Sequence, residues 1–329
     1  MSRLARGTQP TITQLAEQLG VSAATVSRAF SRPELLNPAT VAQVREAAAE
    51  AGYVPNRHAR ALSTGRTAAL GIVVPDIANP FFPPLIRHVQ NIAQSRGLTV
   101  VLADSDERPD REEHTIRTLS HQVEGLILCS SRLPATTLRR LAAEYRLVLV
   151  NRDVPETRRV LLDTAPAVRG AVNTLAALGH RRLAYLAGPQ PRSWSNSQRR
   201  RAAEEQASGL GLELMSFATG AGTYAEAQAL AAGVVGSGAT AVLAFDDTVA
   251  HGFMGGCAEL GIGVPDAVSV IGCDDVLATT THPPLSTIAV DPQAVAAAAI
   301  DLLLDRTGSS GRTLFEATLV LRGTVGPAA

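Results

Sequence analysis

From Ala68 onward the chain repeats one pattern. Apolar runs of four or five residues, bounded by turn residues, alternate with stretches whose apolar positions recur at helical spacing. The runs Leu70–Val74, Val100–Ala103, Gly125–Leu128, Leu147–Val150, Leu183–Ala187, Ala241–Phe245 and Val268–Gly272 carry almost no polar residue. A strand that is apolar on both faces needs cover on both faces, which is the condition of a parallel sheet. Between the runs, Pro84–Arg96, Glu112–His121, Ala165–Leu178, Ala225–Val235 and Val249–Leu260 read as helices. Such alternation predicts α/β architecture with doubly wound parallel sheets. Some 260 residues suit two lobes better than one, and a closed (β/α)₈ barrel is the alternative on length alone.

The first 67 residues are different in kind. They carry eight Arg against four Glu, a net of +4, although the whole chain of 329 residues has 30 basic and 30 acidic side chains and a net charge of +0. A small basic head on a mildly acidic body points to a nucleic-acid partner for the head. Thr11-Ile12-Thr13-Gln14 has capping-box spacing, so Thr11 opens a helix running to Leu19. Gly20 sits where a tight turn needs positive φ, Ser22 caps a second helix from Ala23 to about Phe30, and Asn37-Pro38 opens a third that Gly52 ends. Two short helices joined through Gly20, the second bearing hydroxyl residues and Arg28, describe a helix-turn-helix; a generic helical hairpin is the other reading.

The segment Ala16-Glu17-Gln18-Leu19-Gly20-Val21-Ser22-Ala23-Ala24-Thr25-Val26-Ser27-Arg28 resembles the head of the LacI/GalR family of bacterial repressors. The resemblance implies that Ala23, Ala24 and Arg28 face base edges, while Thr11, Ser22, Thr25 and Ser27 lie near phosphates or cap helices. Arg can fork onto a guanine, whereas the two Ala can make only apolar contacts such as with a thymine methyl. Tyr53 to Ser63 looks like the family's hinge helix, in which Asn56 caps, Arg57 and Arg60 flank, and Leu62 wedges between central base pairs of the operator. His58 there is read as facing solvent or phosphate. By itself a helix this short is too short to hold in water and reads as a linker.

The resemblance continues through Asn79-Pro80-Phe81-Phe82, Leu178-Gly179-His180-Arg181-Arg182-Leu183, Val264-Pro265-Asp266 to Asp274-Asp275, and Pro283-Pro284-Leu285-Ser286. It implies a helix-turn-helix head (1–52), a hinge (53–67) and a periplasmic-binding-protein-like body (68–329). Lobe 1 would take about 68–164 and 291–317, and lobe 2 about 165–290 and 318–326, with crossovers near Thr164, Val290 and Thr318. It also implies an effector pocket of Asn79, Phe81, Phe82, Asn151, Arg199, Asp246 and Asp274, with Asp163 structural at a crossover. Three departures from the family pattern stand out: Ala202 replaces a usual Gly, Asp246 a usual Asn, and a commonly aromatic position falls near Gly222, where Tyr224 can substitute. A sugar or polyol suits such a cleft, and a nucleobase-like effector is the alternative.

The paired carboxylates Asp246-Asp247 and Asp274-Asp275 invite a glycosidase reading. Neighbours on one strand end point in different directions, so one Asp of each pair is expected to grip ligand hydroxyls while the other caps a helix. Asp104-Ser105-Asp106-Glu107 reads as a solvated loop. No G-x-G-x-x-G, P-loop or G-x-S-x-G occurs. Three scattered cysteines without a C-x-x-C give no disulfide or metal framework, and no cofactor or metal is expected. No apolar stretch follows Arg3 and Arg6, and no run reaches membrane length. The expected protein is a cytoplasmic, homodimeric, sequence-specific transcriptional regulator rather than an enzyme. It is read as a repressor acting on an approximately palindromic double-stranded DNA operator, without a membrane partner. The other readings are an activator of the same architecture or a sugar-processing enzyme with a fused head. No heptad-bearing tail follows Gly323, so nothing supports an appended tetramerisation coil.

Overall fold

The structure is a computed structural model that describes residues 10–53, 67–188, 193–305 and 310–328. The chain forms two compact units that meet between Ala68 and Ala69.

The first unit is a helical head. Helix α1 (Ile12–Leu19) opens with both halves of the capping box: Gln14 N–H donates to Thr11 Oγ1 at 3.3 Å and Thr11 N–H to Gln14 Oε1 at 2.8 Å. Gly20 closes it at φ 64°, a conformation that costs glycine nothing, and its N–H satisfies carbonyls of the last turn. Helix α2 (Ala23–Ser31) starts at Ser22, and α3 (Pro38–Glu50) at Asn37 with Pro in its first turn. Leu15, Ala16, Val26, Ala29, Val44, Ala47 and Ala48 fill the core between the three helices. A short 3₁₀ turn at Pro33–Leu35, absent from the sequence reading, links α2 to α3. Residues 54–66, with the hinge positions Asn56, Arg57, His58, Arg60 and Leu62, lie outside the described residues.

The second unit holds two parallel sheets. Each apolar run forms a strand: β1 (Ala69–Val74), β2 (Thr99–Asp104), β3 (Leu126–Cys129) and β4 (Leu147–Val150) in the first sheet. Strands β6 (Arg182–Ala187), β8 (Ala241–Ala244) and β9 (Ser269–Ile271) belong to the second. Five strands escaped the sequence reading: β5 (Arg159–Asp163), β7 (Glu213–Ala218), β10 (Thr287–Ala289), β11 (Arg312–Glu316) and β12 (Thr318–Val320). The first sheet has the order β11-β5-β4-β3-β1-β2, and the second β7-β6-β8-β9. Neighbouring strands within both are parallel, and β10 and β12 form a separate antiparallel pair.

Helices cover both faces of each sheet. In the first lobe, α4 (Phe82–Ser95) and α11 (Pro292–Leu304) pack together. Helices α5 (Pro109–Ser120) and α6 (Ala135–Glu144) bury Ile116, Leu138 and Leu141 in the core that also holds Leu126, Leu128 and Leu149. In the second, α7 (Ala165–Ala177) and α8 (Trp194–Gly209) bury Val172, Leu175 and Ala203 against Leu183, Tyr185 and Leu243. Helices α9 (Tyr224–Gly236) and α10 (Asp247–Glu259) bury Ala227, Val234 and Phe253 against Ala184, Val242 and Val270. The chain passes between lobes after β5, after β10 and between β11 and β12. At the first passage, Asp163 accepts the Ala165 N–H at 3.1 Å.

In both sheets the strand order reverses beside the first strand of the lobe, between β1 and β3 and between β6 and β8. Ligands of open α/β sheets bind beyond the carboxyl ends of strands at such switch points.

Candidate functional sites: the exposed face of α2 and the interlobe cleft

Helix α2 buries Val26 and Ala29 and turns Ala23, Ala24 and Arg28 outward. Its N-terminus is ordered by two hydroxyls: Ser22 Oγ accepts from Thr25 N–H at 3.1 Å and lies 2.9 Å from Thr25 Oγ1. Ser27 is half-buried, and its carbonyl accepts from Ser31 Oγ at 2.8 Å. Thr11 is engaged in its own capping box. A helix end with free N–H groups and hydroxyls suits a phosphate, while the outward Arg28 suits a base edge.

In the body, a cavity of about 200 Å³ opens between the carboxyl ends of the two sheets. Asn79, Phe81 and Phe82 after β1, Asn151 after β4, Arg199 on α8, Asp246 after β8 and Asp274 after β9 all line it. The two Phe rings meet edge to face at 5.1 Å, with Phe82 buried and Phe81 half-buried. Asn151 adopts φ 56° and donates from Nδ2 to Ser130 Oγ at 3.3 Å.

Three consecutive arginines left the register of α8 open, and burial resolves it. Arg199 is 4% exposed and donates from Nη2 to Asp274 Oδ1 at 3.0 Å and from Nη1 to the Phe245 carbonyl at 2.5 Å. Its guanidinium lies 5.1 Å from the Phe245 ring centre, and its Nε–H is buried without an acceptor. Arg200 and Arg201 pair instead with Glu204 and Glu205 along the outer helix face.

The second carboxylate, Asp246, accepts from Val249 N–H at 2.9 Å through Oδ1 and from Asn79 Nδ2 at 3.2 Å through Oδ2. One side chain thus caps α10 and bridges the two lobes. Burial first, then the neighbouring Asp274 charge, pushes its carboxyl up to about 7.

Comparison with known proteins gives this geometry a setting. Residues 11–56 match the model of bacterial regulatory proteins of the lacI family, and residues 172–325 match that of a periplasmic binding protein-like domain. The HTH-type transcriptional repressor CytR of Escherichia coli (strain K12) is 30% identical over 332 residues, covering 96% of either chain. The chain belongs to the LacI family. It is a DNA-binding transcriptional regulator, as its LacI-family relatives are. The lac repressor dimer, solved bound to operator and the anti-inducer ONPF, superposes with a TM-score of 0.87 at 25% identity, covering 97% of this chain and 100% of that one. The transcriptional regulator CelR, solved as a cellobiose complex, gives a TM-score of 0.69 at 26% identity, covering 96% and 99%.

Against this LacI-family background, two expectations need correction. The division of labour within the Asp pairs is not the expected one, because Asp246 itself is the helix cap. Its neighbour Asp247 is buried, accepting from Thr287 Oγ1 at 2.6 Å and Val276 N–H at 3.1 Å, while Asp275 pairs with Arg322 at 2.8 Å. Nor is Asp104–Glu107 a solvated loop. Asp104 accepts from Ile77 N–H at 2.8 Å, Ser105 is buried, and Glu107 reaches the cleft wall. Tyr224, the position expected to substitute for the aromatic missing near Gly222, lines the cleft with its hydroxyl over Gly255 of α10.

Glu107 leads to the part of the site that sequence reasoning missed. Arg132, 7% exposed, holds both Glu107 oxygens, with Nη2 2.7 Å from Oε1 and Nε on Oε2. Its Nη1 donates to the Ser130 carbonyl at 2.9 Å, and its backbone N–H to Glu112 at 2.9 Å. Burial pushes the Glu112 carboxyl up, against the pull of its Ser131 and Arg132 partners. Ser130, Ser195 and Thr248 add hydroxyls to the cleft wall. A part-buried fork–fork pair between residues 25 positions apart leaves no periodic trace in a sequence; a charged residue three positions after an apolar strand run was the only signal. Among the described residues, no helix is long and apolar enough to cross a membrane.

Proposed function

We propose that the chain is a cytoplasmic repressor whose operator affinity is set by a sugar or polyol bound between the lobes. The observation that carries this reading is the convergence of seven side chains, from five separated segments of the sequence, on one cleft at both switch points. Hydroxyl-rich ligands suit acids and amides held in fixed positions, and the cellobiose complex of CelR supports the same class. We assign residues 1–52 to DNA binding, 53–67 to the hinge and 68–329 to effector binding and dimerisation. Asn79, Phe81, Phe82, Asn151, Arg199, Asp246 and Asp274 take the effector-contacting role.

On the DNA side, Ala23, Ala24 and Arg28 take the base-reading role, and Thr11, Ser22, Thr25 and Ser27 the phosphate-facing or capping role. Asn56, Arg57, Arg60 and Leu62 take the hinge role. A homodimer, as in the lac repressor complex, places two heads on half-sites about one helical turn apart, which demands an approximately palindromic operator. The test is a titration of wild type and Arg28→Ala on operator variants changed at single base pairs. The substitution is expected to weaken the preferred operator by about 1–3 kcal/mol and to relax preference at one base pair per half-site. An unchanged preference profile removes Arg28 from the reading set.

A further inference from the structure

Four carboxyl and two guanidinium side chains line the cleft: Asp76, Glu107, Asp246 and Asp274 against Arg132 and Arg199. Both arginines are already neutralised by the protein. Arg132 spends Nε and Nη2 on Glu107 and Nη1 on a carbonyl, and Arg199 spends Nη2 on Asp274 and Nη1 on a carbonyl. Of their six guanidinium nitrogens only Arg199 Nε has no acceptor among the described residues, and each guanidinium already faces a carboxylate. An incoming carboxylate or phosphate would have to compete with that carboxylate for the charge and the fork that arginine offers.

Helix N-termini are the other natural seats for an anion, and those of α4, α8, α9 and α10 all border the cleft with side chains already on their N–H groups. Ser193, Thr223 and Asp246 accept from Asn196, Glu226 and Val249 N–H at α8, α9 and α10, and Asn79 Oδ1 accepts from Phe81 N–H before α4. Among the described residues neither Asp76 nor Asp246 forms an ion pair, so acid exceeds base on the cleft wall. An anion entering would shed its water against that excess, whereas a hydroxyl or amino donor would gain acceptors. The volume of about 200 Å³ lies below the roughly 300–1,000 Å³ of pockets for drug-sized ligands.

We propose that Glu107 and Asp274 act as charge filters, neutralising Arg132 and Arg199 so that the cleft rejects anions. It then takes a non-anionic, donor-rich molecule of about monosaccharide size, excluding phosphorylated and acidic sugars. The ligand class rests on the effector reading above, but the filter itself can be tested without an effector or an operator.

Full-length wild type, Glu107→Gln and Asp274→Asn are titrated with inorganic phosphate at constant ionic strength by isothermal titration calorimetry. Wild type is expected to show no saturable response into the tens of millimolar, and each variant, with one arginine released, to bind at least about tenfold more tightly than wild type. A saturable wild-type response that Arg132→Gln or Arg199→Gln abolishes would overturn the proposal, and so would the absence of a gain in both folded variants. Failure of the effector reading would show elsewhere, as operator affinity indifferent to any cleft ligand.

Discussion

Burial and the Asp274 charge hold the Asp246 carboxyl near 7, about where its surroundings are tested in a cell. An acid whose folded pKa lies above its unfolded value binds more protons folded than unfolded between the two. Its ionisation therefore costs stability as pH rises from about 4 through 7. Asn at this position keeps an oxygen to cap α10 and carries no charge. Asp246→Asn is expected to melt higher than wild type at pH 8, with the difference shrinking as pH falls below about 7 and closing only near pH 4, where the carboxyl is protonated in both folded and unfolded chains. Calorimetric scans across that range decide it; a difference independent of pH would mean that the charge is not the cause. At this scale the sequence was legible where a residue's role follows from its motif. Asn79, Arg199 and Asp274 meet in the cleft as their positions implied, but Glu107 and Arg132 declare themselves only once the loops after β2 and β3 meet.

Helices α9 and α10 approach so closely that glycine is required at two positions one turn apart. A Cβ on Gly252 would stand 2.2 Å from the Tyr224 carbonyl oxygen, and one on Gly256 2.4 Å from that of Gln228. Alanine favours a helix over glycine by roughly 0.8–1.0 kcal/mol. Overlap with backbone that cannot swing aside costs more, so the clash sets the sign. Gly252→Ala is expected to destabilise the body by about 1–3 kcal/mol, read from the midpoint of urea unfolding with the slope unchanged. A neutral or stabilising outcome would show that the two helices part easily. Among strands, burial decided legibility. Central strands such as β3, buried along their whole length, stand out as apolar runs, whereas the edge strands β7 and β11 mix exposed Glu213, Arg312 and Glu316 into their pattern and pass for loop. Helix α8 hides for the opposite reason: Ser195, Asn196 and Arg199 are polar yet buried, because the cleft and Tyr185 supply their partners.

At the level of the whole molecule, the cleft is walled by both lobes, and Asn79 and Asp246 bridge them. A ligand that meets Arg199, Asp246 and Asp274 on one side and Asn79 and Asn151 on the other favours whichever arrangement of the lobes satisfies both sets. It changes operator affinity only by its difference in affinity for the two arrangements. Couplings of this kind amount to about 1–3 kcal/mol, or roughly 5- to 150-fold. The direct measurement is operator affinity of the full-length chain by fluorescence anisotropy, with ribose, glucose, galactose and xylose each added at saturating concentration. Calorimetry on the same samples reports which sugar occupies the cleft. A sugar that binds is expected to shift the operator midpoint at least fivefold in wild type. In Arg199→Ala, operator affinity without sugar should match wild type while sugar binding and the shift are both lost. A sugar that saturates the wild-type cleft yet leaves the operator midpoint unmoved would contradict the account.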